Sequence, residues 1–599
     1  MNIRKSLLAV ALLSASLPAA AQTFNNTIFF GDSLTDSGTF QLALAQNPAV
    51  GPSGAALIGK FTTNPYLVWS EQLARRYGVV LKPSNVGGSN YAVGGARAGV
   101  DSAGPVGPQP AVRTQVGAYL AAHGGKADPN ALYSVWAGGN DMLGVMAGLP
   151  AQATIAAAVT SQVQTVGALQ AAGARYILVP TLPDLGLTPA ARAAGAVGMA
   201  GATQGAQAYN AGLYGGLTGN GISFIPVDTF GLLREVSANA AAFGYTNVTG
   251  MACTNAQSLT CLPANYAAPN APETYMFADS VHPTGKTHTI MADLAYSMIE
   301  GPRMVQLAGY SLSNSGAMRA DRVYGAASTP AADGTRWWAD IRGTMQDYDD
   351  GDVYDGAGAG LLLGGTFGSG GLSFGPFIGF TKQSNDAGND MGSFDQTEST
   401  LGGFVRWTGG PVWATAQASY SKVSSDIDRE VKLGPVTRVH SGSHDGNALA
   451  LGAQVGLNFS HGNIEHGPFI GALKQKIELD GYVESDPTLS TALSFNDRTV
   501  DRTTARAGWR AQFNHGNLKP YASISWNRDL KDPLEQTSAT ALSTNVTYSV
   551  PAVNFDRTFG VVNAGVKTAL LGHDADVGIS ATVSQSDALQ AMVYASFGF

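Results

Sequence analysis

Four short stretches of the chain carry residues that could do chemistry together. The first is Gly31-Asp32-Ser33-Leu34-Thr35-Asp36-Ser37-Gly38, a serine in a glycine-flanked turn directly after the apolar run Thr27-Ile28-Phe29-Phe30. The C-terminal end of a strand is where an α/β sheet presents reactive groups, so Ser33 is a candidate nucleophile. Asn90-Tyr91-Ala92-Val93-Gly94-Gly95-Ala96 is a glycine turn able to offer backbone N–H groups. Gly138-Gly139-Asn140-Asp141 follows the strand-like Tyr133-Ser134-Val135-Trp136, and Asp279-Ser280-Val281-His282-Pro283 spaces an aspartate three residues before a histidine. Proline after His282 suits a helix start, which would fix the direction of the imidazole.

Elements must bring these stretches together. From Thr27 to about Gly301 short apolar runs, such as Tyr176-Ile177-Leu178-Val179, alternate with helix-like segments, Tyr66 to Tyr77 and Ala151 to Ala172 among them. That alternation predicts an α/β domain with a mostly parallel sheet. From about Arg336 the period changes to two. Val412-Trp413-Ala414-Thr415-Ala416-Gln417-Ala418-Ser419-Tyr420 sets Val, Ala and Tyr on one face and Thr, Gln and Ser on the other. Thr503 to Phe513 places Trp509 and Phe513 opposite Arg502, Arg506 and Arg510, arginines that suit a wet lumen and not lipid. About twelve such segments predict an antiparallel transmembrane β-barrel. Its last strand would put Leu589, Ala591, Val593, Ala595, Phe597 and Phe599 on one face.

Taken together, the four stretches resemble the GDSL, or SGNH, hydrolase family over nearly all of the first three hundred residues. Gly59-Lys60-Phe61-Thr62-Thr63-Asn64 and Leu182-Pro183-Asp184-Leu185-Gly186-Leu187-Thr188-Pro189 add to the likeness. With the C-terminal barrel, the chain resembles a GDSL esterase autotransporter. The resemblance implies a three-layer α/β/α SGNH-like passenger acting as a carboxylic-ester hydrolase without a cofactor or metal. It implies Ser33 as nucleophile, His282 as general acid–base and Asp279 as the residue orienting it. The oxyanion would meet the Ser33 N–H, the Asn140 amide and a glycine N–H, Gly95 or its neighbour Gly94, with Gly95 preferred. Asp32 and Asp141 read as turn-holding residues, and His288 as a surface or helix-packing residue. Phe61, Tyr66, Tyr91 and Trp136 are apolar enough to line an acyl groove.

The expected organisation is a signal peptide over 1–21, a hydrolase passenger over 22–301, a linker over 302–335 that is helical within the pore, and a barrel over 336–599. Met1-Asn2-Ile3-Arg4-Lys5, the apolar Leu7 to Leu13 and Ala19-Ala20-Ala21 carry the three parts of a secretory leader. Export to an oxidising compartment would pair Cys253 with Cys261. The expected location is the bacterial outer membrane with the passenger at the cell surface. The expected partners are an acyl-ester or lipid substrate, outer-membrane lipids and the barrel-insertion machinery, the protein itself being a monomer.

Composition agrees with such a division. Of the 599 residues only 13% are charged, about half the usual share, while 75 are glycine. A net charge of −8 without basic clusters gives no basis for nucleic-acid binding. The acidic run Asp347, Asp349, Asp350, Asp352 and Asp355 lacks the spacing and closing glutamate of an EF-hand and is expected to be a solvated loop.

Overall fold

Strands β1 (Thr27–Gly31), β2 (Leu132–Trp136), β3 (Tyr176–Pro180) and β4 (Ile225–Val227) lie parallel in the order β1-β2-β3-β4. Every one of their residues is buried, as a parallel sheet covered on both faces demands. Helices α1 (Trp69–Arg76), α2 (Gly139–Met146), α3 (Ala151–Ala171) and α4 (Gly195–Gly219) belong to this N-terminal part. The computed structural model describes residues 23–47, 50–329, 334–348, 352–368, 371–532, 534–570, 572–584 and 588–599. The expected leader over 1–21, together with Asp349 and Asp350 of the acidic run, lies outside them.

The C-terminal part is a closed antiparallel barrel of twelve strands. Strand Thr335–Tyr348 pairs with the final strand Ala588–Gly598, and Val436–Leu457 pairs with Ile464–Leu479 to complete the ring. Closure removes every sheet edge, the condition for backbone in a lipid core.

Strand Val412–Leu433 shows how the sequence marks the membrane surface. Along its first half Thr415, Gln417, Ser419 and Ser421 point inward while Ala416, Ala418 and Tyr420 point outward. Beyond Ser421 the inner face turns largely apolar: Val423, Ile427, Val431 and Leu433 point inward beside Ser425 and the ion-paired Arg429, and Lys422, Asp426, Asp428 and Glu430 point outward. There its inner face is part of a protein core, Ile427, Val431 and Leu433 belonging to one apolar cluster with the parallel sheet.

That core is shared with helix α5 (Gly285–Ala327), a single helix of 43 residues. The boundary expected between 301 and 302 is therefore crossed by continuous helix, even though Pro302 removes one backbone hydrogen bond. The carbonyl that Pro302 leaves free belongs to Met298, and the Tyr548 hydroxyl donates to it (2.8 Å). Tyr548 comes from a four-stranded sheet of barrel loops, Tyr482–Val483, Leu493–Phe495, Gln536–Ala541 and Val546–Pro551, that encloses the helix above the barrel. Lower down, luminal glutamines Gln396, Gln475 and Gln417 donate to the α5 carbonyls of Ala308, Ser313 and Ala320. Asn314 and Ser311 bond to Gln346, and ion pairs Arg319–Glu398 and Arg322–Asp340 hold the last turns.

Candidate active site

The end of β1 is fixed before the serine is reached. Gln115 both donates to the Gly31 carbonyl (2.9 Å) and accepts from the Gly31 N–H (3.0 Å). The chain then turns over Asp32, whose carboxylate accepts from the Leu34 N–H (3.0 Å) and whose carbonyl accepts from Thr35 and Asp36. Asp32 thus holds the turn that presents Ser33. Burial raises its pKa to about 6, against the Leu34 N–H and the His282 charge, which lower it.

Asp36 ties this turn to the glycine turn. It accepts from the N–H groups of Gly38, Thr39 and Gly94 (2.8, 2.7 and 2.9 Å). The Gly94 N–H is thereby occupied, whereas that of Gly95 has no partner among the described residues. Both positions require glycine. A Cβ on Gly94 would meet the Phe61 ring at 2.2 Å, and Gly95 has φ +84° with the Gln109 side chain equally close.

Asn140, at the start of α2, donates one amide hydrogen to the Ala96 carbonyl (3.0 Å) and keeps a second. Asp141 beside it accepts from Arg97 Nε (2.9 Å) and the Ala98 N–H (2.8 Å), anchoring the segment after Gly95.

Asp279 and His282 lie before α5, which begins at Gly285 and not directly at Pro283 as the sequence suggested; Thr284 is its N-cap. His282 Nε2 lies 2.8 Å from Ser33 Oγ, and its Nδ1 lies 2.8 Å from Asp279 Oδ2. Hydrogen positions follow from this network: Nδ1–H donates to the carboxylate, leaving Nε2 free to accept from the serine. Asp279 also accepts from the N–H groups of Val281, His282 and Ser258. Burial would raise its pKa, but the His282 charge and these hydrogen bonds hold the carboxyl well below the ordinary range. For His282, burial disfavours the charged ring, yet the charge and hydrogen bond of Asp279, with Asp32 beyond, raise its pKa above the usual 6.5.

The structure thus links Ser33, His282 and Asp279 in one hydrogen-bonded chain, ties the Gly94-Gly95 turn to the Ser33 turn through Asp36, and ties Asn140 to the same glycine turn through the Ala96 carbonyl. His288 differs from expectation where exposure was concerned: it is fully buried, its Nδ1 accepts from the Trp69 N–H, and burial pushes its pKa down to about 3. Of the four aromatic groove candidates only Phe61 stands against the site, its ring 5.1 Å from that of His282. Trp136 packs in the core against Trp69, Tyr91 leans on Phe30 and Tyr119, and Tyr66 is exposed.

One contributor was not foreseen. Ser258 gives its N–H to Asp279 Oδ2 (3.0 Å), and its hydroxyl stands 3.2 Å from His282 Nδ1. It sits inside the loop closed by the Cys253–Cys261 disulfide, and Asn64 braces that loop by donating to the carbonyls of Ser258 and Cys261. The only trace of this in the sequence is a serine between two close cysteines.

Fold and site together define a serine acylhydrolase joined to an outer-membrane translocator barrel. The GDSL-like Lipase/Acylhydrolase family model matches residues 28–295, and the Autotransporter beta-domain model matches residues 337–596. Esterase EstA of Pseudomonas aeruginosa is 30% identical over 87% of this chain and 87% of its own length, and the chain belongs to this family of GDSL esterase autotransporters. Lipase 1 of Photorhabdus luminescens is 24% identical over 96% of this chain and 95% of its own. Among solved structures, the translocator domain of the autotransporter NalP from Neisseria meningitidis matches 49% of this chain and 97% of its own at 16% identity, with a TM-score of 0.42. The protein is an ester-hydrolysing serine hydrolase located in the bacterial outer membrane.

Proposed function

We propose that Ser33, His282 and Asp279 form the catalytic triad of a carboxylic-ester hydrolase that the barrel displays at the cell surface. The observation that carries this reading is the unbroken relay from Ser33 Oγ through the His282 ring to Asp279, with both links at 2.8 Å. His282 Nε2 takes the Ser33 proton as Oγ attacks the ester carbonyl, then returns it to the leaving alcohol. Water attacks the acyl-enzyme by the same route in reverse. Asp279 fixes the tautomer and stabilises the imidazolium. Charge on the tetrahedral oxygen falls to the Ser33 N–H, the Gly95 N–H and the second Asn140 amide hydrogen, donors not otherwise engaged among the described residues.

Acyl esters, lipids included, are the substrate class, and Phe61 beside His282 offers an apolar wall to the acyl chain. The hydrolase unit spans 22–301, 302–335 links it through the pore, and 336–599 is the barrel. The ring closes within one chain, so a monomer suffices, folded into outer-membrane lipid by the cell's barrel-insertion machinery.

Intact expressing cells, given a chromogenic ester series, test both halves of the proposal. Wild-type cells should hydrolyse it, Ser33→Ala cells should lose at least about 10⁴-fold in rate, and external protease should abolish the wild-type signal. Unchanged hydrolysis by Ser33→Ala would overturn the triad, and activity seen only after lysis would overturn surface display.

A further inference from the structure

Helix α5 does not fill the barrel evenly. In its last turns Val323, Ala326 and Ala327 pack against Trp338, Leu362, Phe377 and Phe404 on one wall. On the opposite side a chamber of about 620 Å³ remains. It lies at the end of the barrel where Thr335 and Gly598 carry the chain in and out and where the strand connections are short. Short turns mark the periplasmic mouth of a bacterial barrel.

The charges around the chamber are unequally matched. Arg322 is paired with Asp340 and reaches Asp576, and Arg506 is paired with Asp321. Arg406 and Arg510 have no carboxylate within ion-pair distance among the described residues. Arg406 donates to the Thr415 hydroxyl (3.2 Å), and Arg510 donates to Asn458 Oδ1 (2.6 Å). Both guanidinium groups lie over the ring of Trp413, at 5.1 and 4.0 Å from its centre. Two like charges therefore share one indole, with Lys567 on the same chamber and, among the described residues, hydrogen-bonded to the Ser328 hydroxyl alone (2.9 Å). Glu465 also lines the chamber and its charge acts on Arg510, but among the described residues it is not within ion-pair distance of either arginine.

Like charges that line one chamber around a shared indole, partly out of water, repel one another, and an anion bound among them offsets that repulsion. Guanidinium forks match phosphate oxygens two at a time, and an ammonium adds a point charge. We propose that the periplasmic chamber of the lumen is a binding site for a phosphate-type oxyanion, gripped by Arg406 and Arg510 with Lys567 as third donor. The site is distinct from the ester-cleaving centre at the other end of α5 and does not depend on it.

Calorimetric titration of the full chain in uncharged detergent, at low ionic strength and without phosphate buffer, tests this. Inorganic pyrophosphate serves as the soluble probe and dihexanoyl phosphatidic acid as the headgroup probe. Saturable one-site binding is expected for the wild type, weakened about tenfold or more in Arg406→Gln/Arg510→Gln. Arg406→Lys/Arg510→Lys should fall between, keeping the charge without the forks. Unchanged hydrolysis of a soluble ester and unchanged heat-modifiable gel mobility show that each variant is folded. Tighter binding of pyrophosphate assigns the site to a free anion, and tighter binding of the lipid assigns it to a headgroup. Absence of saturable binding to both probes at millimolar concentration, or equal affinity in wild type and the glutamine variant, overturns the proposal.

Discussion

Ser258 touches both members of the Asp279–His282 pair, one through its backbone and one through its hydroxyl. Ser258→Ala removes only the second contact, so kcat should fall severalfold with KM little changed, and Ser258→Thr should restore most of it. A merely structural role would instead lower thermal stability without moving the pH profile. That profile follows from His282. In the proposed triad the neutral ring is the working base, and the Asp279 and Asp32 charges favour the protonated one. Activity should therefore fall as pH drops through a value above the usual histidine 6.5. Asp279→Asn should move this acid limb to lower pH and reduce kcat by about 10⁴. Asn140→Ala removes one proposed oxyanion donor and should cost about 10²–10³ in kcat, read by steady-state kinetics on a soluble ester.

At the scale of elements, what could be read from the sequence depended on whether the signal was local. Period two in Val412–Tyr420 announces a membrane strand because lipid and lumen impose alternation residue by residue. The site stretches were equally visible, each being a turn with its own glycine or Asp-x-x-His spacing. The boundary expected between Gly301 and Pro302 falls inside helix α5, whose continuity has no local signal, a proline ordinarily breaking a helix. What keeps the helix whole is remote: the Tyr548 hydroxyl on the Met298 carbonyl, and the absence of a Cβ at Gly301, where Leu493 and Arg429 press close. Ser258 escaped notice for the same reason, its partners lying more than twenty residues onward in the chain. Tyr548→Phe leaves the Met298 carbonyl buried without a donor and should destabilise this junction by about 1–3 kcal/mol. Esterase activity would then be lost at a lower temperature, while the barrel keeps its folded gel mobility.

Across the whole molecule, hydrolase and barrel share one apolar core. Phe29, Trp136 and Ile225 of the sheet belong to the same contiguous cluster as Ile427, Val431, Leu493 and Tyr548 of the barrel's upper strands and loops. The hairpin of Val412–Leu433 and Val436–Leu457 rises far enough for the Gly434 N–H to donate to Asp293 in α5 (2.7 Å). The buried pair Arg429–Glu484 fastens the loop sheet beneath it, so Glu484→Gln should cost about 3–5 kcal/mol by leaving the guanidinium unmatched. For the same reason residues 22–301 produced without the barrel should melt well below the intact protein and bind hydrophobic dyes, as thermal scans of the two would show.

The unbroken α5 also sets the kind of catalyst this is. Most of its residues are buried and none is exposed, first in hydrolase core and then in lumen, so a continuous packed helix holds the enzyme to the barrel. The protein is an immobilised catalyst, anchored one to a pore. Displayed as proposed, it does not diffuse through the medium to find an ester, and each collision comes from the motion of the substrate or the drift of its host along the bilayer. Its output therefore scales with the area of membrane that carries it and not with the volume of the surrounding fluid.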